Sequence, residues 1–363
     1  MKAYVVEKEH LVHNIQAIHE AAGDAVVWAV LKGNGYGLGV TQMAHLMQEN
    51  GINHFAVTQV REAAALREAG FDDAQILMLR QTEEPEEIDS LLDMGVILTV
   101  GSVEAAAVIN GIAAKRAGIA RVHLKVDSGM GRYGFTPEQT SKLLKVYEYQ
   151  SCLQVCGVYT HFNCAFCDDK LTRKQYNAFM GVVEEIREAG FDPGMVHCCN
   201  SAAFLKFPDM HASAVRVGSA FLGRLPFKDK LGLKKIGHAE ATIEELRWLK
   251  EGATVGYGAG WKAKRPTRIA VLGIGWYQGF GNEKGRDLFR FRDCVREILH
   301  NLKWMVKGHR LHVTVSGKTC HVLGHVGMVN TIVDVTDVDC AIGDRVVLQI
   351  NPLQAKGMKI LYR

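Results

Sequence analysis

Within the first 220 residues, short β-rich runs alternate with amphipathic segments of helical period. The runs are Ala25–Leu31, His54–Thr58, Gln75–Leu79, Ile97–Val100, Arg121–Asp127, Leu153–His161, Met195–Asn200 and Ala214–Val217. Helical patterns such as Val60–Ala69, Val103–Ala117 and Leu171–Ala189 lie between them. Gly70, Gly118 and Gly190 stand where the residue after a helix must turn left-handed. Eight strands alternating with helices over roughly 200 residues predict an α/β fold, a (β/α)8 TIM-type barrel. A doubly wound open sheet is the competing architecture, but no G-x-G-x-x-G follows the first run.

After Gly223 the texture changes. Arg224–Lys250 is charged, and shorter strand-like runs follow at Thr267–Ile274, Leu311–Val315, Thr319–His325, Thr331–Val335 and Arg345–Ile350. They predict a mostly β C-terminal domain. Asp293–Val306 interrupts it with helical periodicity, Val295, Ile298, Leu299, Leu302 and Met305 sharing one face. The barrel is expected to span 1–225, its first residues able to pair with the second domain. The β domain is expected over 226–363, with a helical insertion near 293–306.

Composition narrows the function. A net charge of +4 with acids and bases intermixed gives no reason to invoke nucleic acid or a membrane surface. The N-terminus is too charged for a signal peptide, and no apolar run approaches the ~20 residues of a spanning helix. Nine cysteines without a secreted framework fit a reducing, cytoplasmic setting. His161, Cys164 and Cys167 have metal-like spacing, with His197, Cys198 and Cys199 as further ligands. No second Cys-x-x-Cys completes a tetrahedral set, so no metal is expected.

In such a barrel the chemistry lies at the C-terminal ends of the strands. The first run leads into Leu31-Lys32-Gly33-Asn34-Gly35-Tyr36-Gly37-Leu38-Gly39. Lys32 thus leaves the apolar run at the barrel mouth, where a partly desolvated lysine has a lowered pKa and can condense with a carbonyl. Read alone, it is better explained by a lysine snorkelling at a strand end. The other strand ends change that balance. They supply Lys125 and Arg132, then His161, then His197, Asn200 and Ser201, then Arg216, Gly218 and Ser219. Backbone N–H groups near Gly218 and Ser219, with Ser201 and Tyr36, would cradle a phosphate. A reactive lysine beside a phosphate cradle points to pyridoxal 5′-phosphate.

These motifs resemble the alanine racemase family of pyridoxal-phosphate enzymes, nearly end to end. The marks are A-V-L-K-G-N-G-Y-G-L-G (29–39), V-D-S-G-M-G-R-Y-G-F (126–135), Y-T-H-F (159–162), N-S-A-A-F-L-K-F-P (200–208) and V-R-V-G-S-A-F-L-G (215–223). The resemblance implies an isomerase that interconverts L- and D-amino acids, a homodimer whose partner's β domain completes each site. It implies Lys32 as the Schiff-base lysine and one acid–base group. Tyr36, Ser201, Gly218 and Ser219 would contact phosphate, with His161, His197 and Asn200 also in the cofactor site. Arg132 would lie near the cofactor hydroxyl and the substrate carboxylate, and Lys125 is a candidate for carbamylation. Arg216 would face the pyridine nitrogen, where a decarboxylase would be expected to offer a carboxylate instead.

The departures cluster in the second half. The family's second acid–base group is a tyrosine in I-G-Y-A-D-G-Y, whereas this chain reads I-G-W-Y-Q-G-F over 274–280. Indole N–H only donates, so Trp276 cannot serve as a base. Neighbours on a strand face opposite ways, so one of Trp276 and Tyr277 is expected to look inward. A one-residue bulge that turns in Tyr277 is the expectation, with Trp276 shaping the substrate pocket. Two readings stay open beside it: water or His161 takes over the tyrosine's task, or the protein binds the cofactor without racemising. Met328 is retained in the substrate-closing segment, but Val329 replaces an aspartate and the chain end lacks R-V-P-R. Asn351 is a candidate to fill that space. The expected substrate is alanine or a similar small amino acid, with serine or a larger one as the alternative.

Overall fold

The computed structural model describes residues 2–282, 291–307 and 311–363. They form two compact units, Lys8–Ile236 and a second made of residues up to Glu7 with Gly237–Arg363. The segment β1 (Lys2–Val6) belongs to the second unit.

The first unit holds eight parallel strands. They are β2 (Val26–Val30), β3 (His54–Val57), β4 (Gln75–Met78), β5 (Leu98–Val100), β6 (Ala120–Lys125), β7 (Leu153–Tyr159), β8 (Met195–His197) and β9 (Ala214–Val217). Their order is β4-β3-β2-β9-β8-β7-β6-β5. Ile97 joins the two ends: the Met78 N–H donates to its carbonyl at 2.9 Å, and its own N–H donates to Ile76 O at 2.8 Å. The sheet is therefore a closed barrel without free edges. Six of the eight strands stop short of the apolar runs that foretold them. The chain leaves the ladder at Leu31, Thr58, Leu79, Val126, Thr160 and Cys198, and those departures carry the site.

The barrel interior is unusually polar at one end. Trp28 meets the His123 ring edge-on at 5.8 Å, and His197 stacks on Tyr159 at 4.9 Å. Gly157 makes room for this: a Cβ there would lie 2.6 Å from His123 Nε2.

The unit boundary falls at Ile236/Gly237 rather than at 225/226. The connecting segment stays with the barrel through Asn14 on α1 (Lys8–Ala22). Asn14 donates to Phe221 O at 2.9 Å and Lys234 O at 2.7 Å, and accepts from the Lys234 N–H at 2.8 Å.

The second unit is organised by β10 (Gly237–Leu249), a 13-residue strand inside the stretch that reads as merely charged. It pairs antiparallel with β1, Arg345–Leu348 and Thr267–Leu272. A register shift between Ile243 and Glu245 breaks its alternation, which hides the strand from a period-two reading. Glu240, 3% exposed, is gripped there by Arg363 through two hydrogen bonds of 2.8 and 2.9 Å and by Arg345 at 3.2 Å. Burial alone would raise the Glu240 pKa, but hydrogen bonds from Arg363 and His238 and the nearby arginine charges hold it below the ordinary range. A helix spans Phe291–Lys307, covering the expected insertion. Its apolar Ile298, Leu299 and Leu302 are exposed on this unit.

Candidate active site

The chain after β2 makes the site's most constrained loop. Gly33, Asn34, Gly35, Tyr36 and Gly37 have φ of 66°, 55°, 62°, 57° and 83°, five successive residues in the left-handed region. That conformation costs an L-residue roughly 1–2 kcal/mol, which explains the alternate glycines and the tolerant Asn34. Tyr36 is the exception, and its surroundings hold it. Its hydroxyl occupies the space a Cβ on Gly218 would take, 2.1 Å from that position. Burial pushes the Tyr36 phenol up to about 12, so it stays a neutral donor.

Glu62 ties this loop to the barrel. Its carboxylate accepts from the Asn34 N–H at 2.9 Å, the Thr58 N–H at 2.9 Å and the Gln59 N–H at 3.1 Å. As the third residue of the helix Val60–Glu68 it completes a capping box with Gln59.

Lys32 opens the loop and lines a cavity of ≈ 260 Å³. Burial, then the charges of Arg132 and Arg216, lower its pKa. Tyr36, His161, Asn200, Ser201, Arg216, Gly218 and Ser219 line the same cavity. The Ser201 Oγ accepts from the Gly218 N–H at 2.9 Å and the Ala220 N–H at 3.4 Å, and Asn200 caps the following helix by accepting from Ala202 and Ala203. Leu79, Phe166, Leu225 and Pro226 add apolar walls that the motifs did not single out.

Arg216 forms the floor, 3% exposed. Its guanidinium donates to His197 Nδ1 at 2.8 Å, Thr160 O at 2.6 Å and His197 O at 3.1 Å. Because a guanidinium never accepts, His197 Nδ1 must be bare and its proton must sit on Nε2. That nitrogen lies 2.9 Å from His123 Nδ1, which must then accept. Donors thus run one way, Arg216 to His197 to His123. Both rings are neutral: burial and nearby positive charge push His123 down to about 3 and His197 well below its ordinary value. His197 is therefore beneath the cavity rather than in its wall, and His123 is a member of the site that the strand pattern concealed.

Arg132 stands exposed at the rim, its guanidinium 4.9 Å from the Tyr133 ring centroid. Asp127 fixes its loop, accepting from the N–H groups of Gly129, Met130, Gly131 and Arg132. Lys125 is 1% exposed, donates only to Val126 O at 2.9 Å among its hydrogen bonds, and faces the rings of Tyr133 and Tyr159. Burial brings its pKa down to about 7, against a raising contribution from Asp127.

The remaining candidates lie in the second unit. The stretch around Trp276 is a 3-10 turn, Trp276–Gln278, and neither a strand nor a bulge. The inward-or-outward choice between neighbours therefore does not apply: three residues make one turn, and Trp276 and Tyr277 are each 47% exposed. Gln278 sets the turn by accepting from the Gly275 N–H at 3.0 Å. Gly275 packs so closely that a Cβ would lie 2.2 Å from Gly327 O. The Trp276 and Tyr277 N–H groups donate to Gly327 O and Met328 O, both at 3.0 Å, so the altered motif is tied to the backbone of the Met328 segment. Asn351 spends its side-chain oxygen capping the turn Pro352–Gln354, accepting from the Leu353 N–H at 3.1 Å. Among the described residues no group of three His, Cys, Asp or Glu side chains is arranged to hold a metal.

Comparison with known proteins matches both halves. The profile for alanine racemase, N-terminal domain, covers residues 6–226, and that for alanine racemase, C-terminal domain, covers 236–359. The alanine racemase of Clostridium tetani is 30% identical over 98% of this chain and 87% of its own. That of Desulforamulus reducens is 34% identical over 91% of this chain and 84% of its own. The solved alanine racemase of Clostridium difficile 630 superposes with a TM-score of 0.85 at 25% identity, covering 100% of this chain and 95% of the other. With its closed barrel, its β unit and both domain profiles matched, the chain belongs to the alanine racemase family.

Proposed function

We propose that this protein is a pyridoxal-phosphate-dependent alanine racemase, acting as a homodimer. The observation that carries the reading is the convergence of Lys32, Arg216 and the Ser201–Gly218–Ser219 cradle on one cavity. The fit to the cofactor rests on that donor set: hydroxyls and backbone N–H groups for a phosphate, an amine of lowered pKa, and a buried cation on the floor. When bound, pyridoxal phosphate supplies a carbonyl and an electron-withdrawing ring that loosen the Cα–H bond of an attached amino acid.

The chain's own groups then govern the proton. Lys32, with its pKa lowered, takes or returns the Cα proton on one face at neutral pH. Arg216 would meet the ring nitrogen with a charged donor that cannot accept, leaving that nitrogen unprotonated. Electron withdrawal by the bound ring would thereby be moderated, which would favour prompt return of the proton over side reactions. His197 and His123 hold Arg216 in that orientation from below. Tyr277 of a second copy is assigned the opposite face, because Trp276 offers only a donor. Met328 and Trp276 would border the substrate, and Arg132 would meet its carboxylate.

Incubation with L- or D-alanine in deuterium oxide tests the reading. Exchange at Cα with appearance of the opposite enantiomer is expected; no exchange from either hand, with pyridoxal phosphate supplied, would overturn it. Lys125 gives a separate test. Its amine is neutral in part near pH 7, and a neutral amine adds carbon dioxide. Labelled bicarbonate should leave a carbamate on Lys125 above about pH 7 that fades below it, and none in Lys125→Met. A cytoplasmic setting accords with the described cysteines, which form no disulfide. No described helix is long and apolar enough to cross a membrane.

A further inference from the structure

Cys164-Ala165-Phe166-Cys167 is a motif that the proposed reaction does not use. It lies on the loop between β7 and the helix Asp169–Glu188. The Cys167 N–H donates to Cys164 O at 2.8 Å, and the Asp168 N–H to the same oxygen at 2.9 Å, so the four residues close a tight turn. A hydrogen-bonded turn of four residues brings its end Cα atoms within ~7 Å, a span that overlaps the ~4.4–6.8 Å usual for a disulfide. Cys167 is exposed and Cys164 half-buried, so a small oxidant reaches at least one thiol. The turn is anchored between the cysteines and just after them. Ala165 is 1% exposed, and Asp168 caps the helix by accepting from the Leu171 N–H at 2.9 Å. Between the cysteines stands Phe166, 54% exposed and lining the same cavity as Lys32 and His161. Among the described residues no third His, Cys, Asp or Glu side chain joins the pair in an arrangement that would hold a metal.

We infer that Cys164 and Cys167 form a reversible redox site, closed by exchange with small-molecule disulfides, that fixes Phe166 over the cavity. Cys167 thiolate attacks one sulfur of the small disulfide, forming a mixed disulfide and releasing one thiol. Cys164 thiolate then attacks the Cys167 sulfur, forming the internal bond and releasing the second thiol. The protein dithiol is oxidised, the small disulfide is reduced to two thiols, and the two protons pass from the cysteines to those products. In a reducing compartment such a bond is transient and reports redox state. The site itself is independent of the proposed racemase reaction; only the effect of Phe166 on the cofactor rests on that reading.

The holoenzyme is incubated with oxidised glutathione, quenched and mapped by peptide mass spectrometry. The expected product is a disulfide within the peptide that holds both cysteines, reversed by dithiothreitol. Cys164→Ser should stop at a glutathione adduct on Cys167. A wild type whose Cys164 and Cys167 both remain alkylatable, or whose disulfide maps to Cys198 and Cys199, would overturn the site. As a second readout, oxidation should slow pyridoxal phosphate release severalfold in wild type and leave Cys164→Ser/Cys167→Ser unchanged. Equal release rates from the oxidised and reduced wild type would remove the role of Phe166 while leaving the mapped disulfide intact.

Discussion

Two glycine-framed turns carry the aromatic residues at issue, and they are built in opposite ways. The turn at Lys32–Tyr36 is finished by its own unit: Glu62 clamps Asn34, and the Tyr36 hydroxyl is pressed against Gly218. The turn at Trp276–Gln278 has a backbone just as firmly tied, to Gly327 and Met328, yet both of its rings stand half-exposed. Rigid backbone with unfinished side chains suits residues that act on something outside their own unit. In the first turn nearly every position has an internal partner that constrains it; in the second, Trp276 and Tyr277 have room to change. The altered I-G-W-Y-Q-G-F motif falls where that room exists.

The sharpest way to break this comparison is at the lysine. Lys32→Ala should lower racemisation by ~10³-fold or more and remove the visible band that borohydride would otherwise fix to the protein. A band that survives the substitution would unseat Lys32. Next comes the exposed turn. Tyr277→Phe should cost ~10²–10⁴-fold in racemisation with the cofactor spectrum kept, and Trp276→Phe far less. The reverse ranking, measured with both enantiomers of alanine, would make the second turn's partner something other than the phenol.

Smaller effects test the supports. Glu240→Gln should destabilise the β unit by about 1–2 kcal/mol, the half-exposed arginines keeping the cost low. Because the folded Glu240 pKa is depressed, its contribution is present above the unfolded value near 4.3 and lost as pH falls through the folded one. Denaturation curves of the two proteins should therefore converge in acid and part above about pH 4.3. Glu62→Gln should change the melting temperature least, yet weaken pyridoxal phosphate binding by roughly tenfold, the scale of one hydrogen bond to a charged group. An unchanged affinity would show that the glycines alone hold the loop.

The barrel was legible because its signals are local. Each strand is a compact apolar run, and helices such as Val60–Glu68 are closed by a glycine one residue past the cap, here Gly70 after Ala69. The strand β10 was not, since a bulge shifts its alternation and its outer half, from Glu244 to Trp248, is largely exposed. Among site residues, Lys32 and Ser201 follow strand ends and Arg216 sits near the C-terminal end of β9, so topology could place them. His123 sits inside β6 and gains its role only from His197, a neighbour 74 positions away. Glu62 left a trace, the Gln59-to-Glu62 capping pattern, but nothing local says that the same carboxylate also reaches Asn34. The turn at Trp276 read as a strand because the apolar run before it continues to Ile274. Its shape is set by Gly327, a contact across 51 positions that no window of sequence contains.

The five left-handed residues from Gly33 to Gly37 have a stereochemical consequence. Over that stretch an all-L chain traces the mirror image of its own preferred turn. A D-alanine placed at Gly33 by chemical synthesis would sit in its natural basin and stiffen the loop, while L-alanine at the same place would strain it. The protein proposed to exchange one hand of an amino acid for the other thus follows its lysine at once with backbone of the opposite hand.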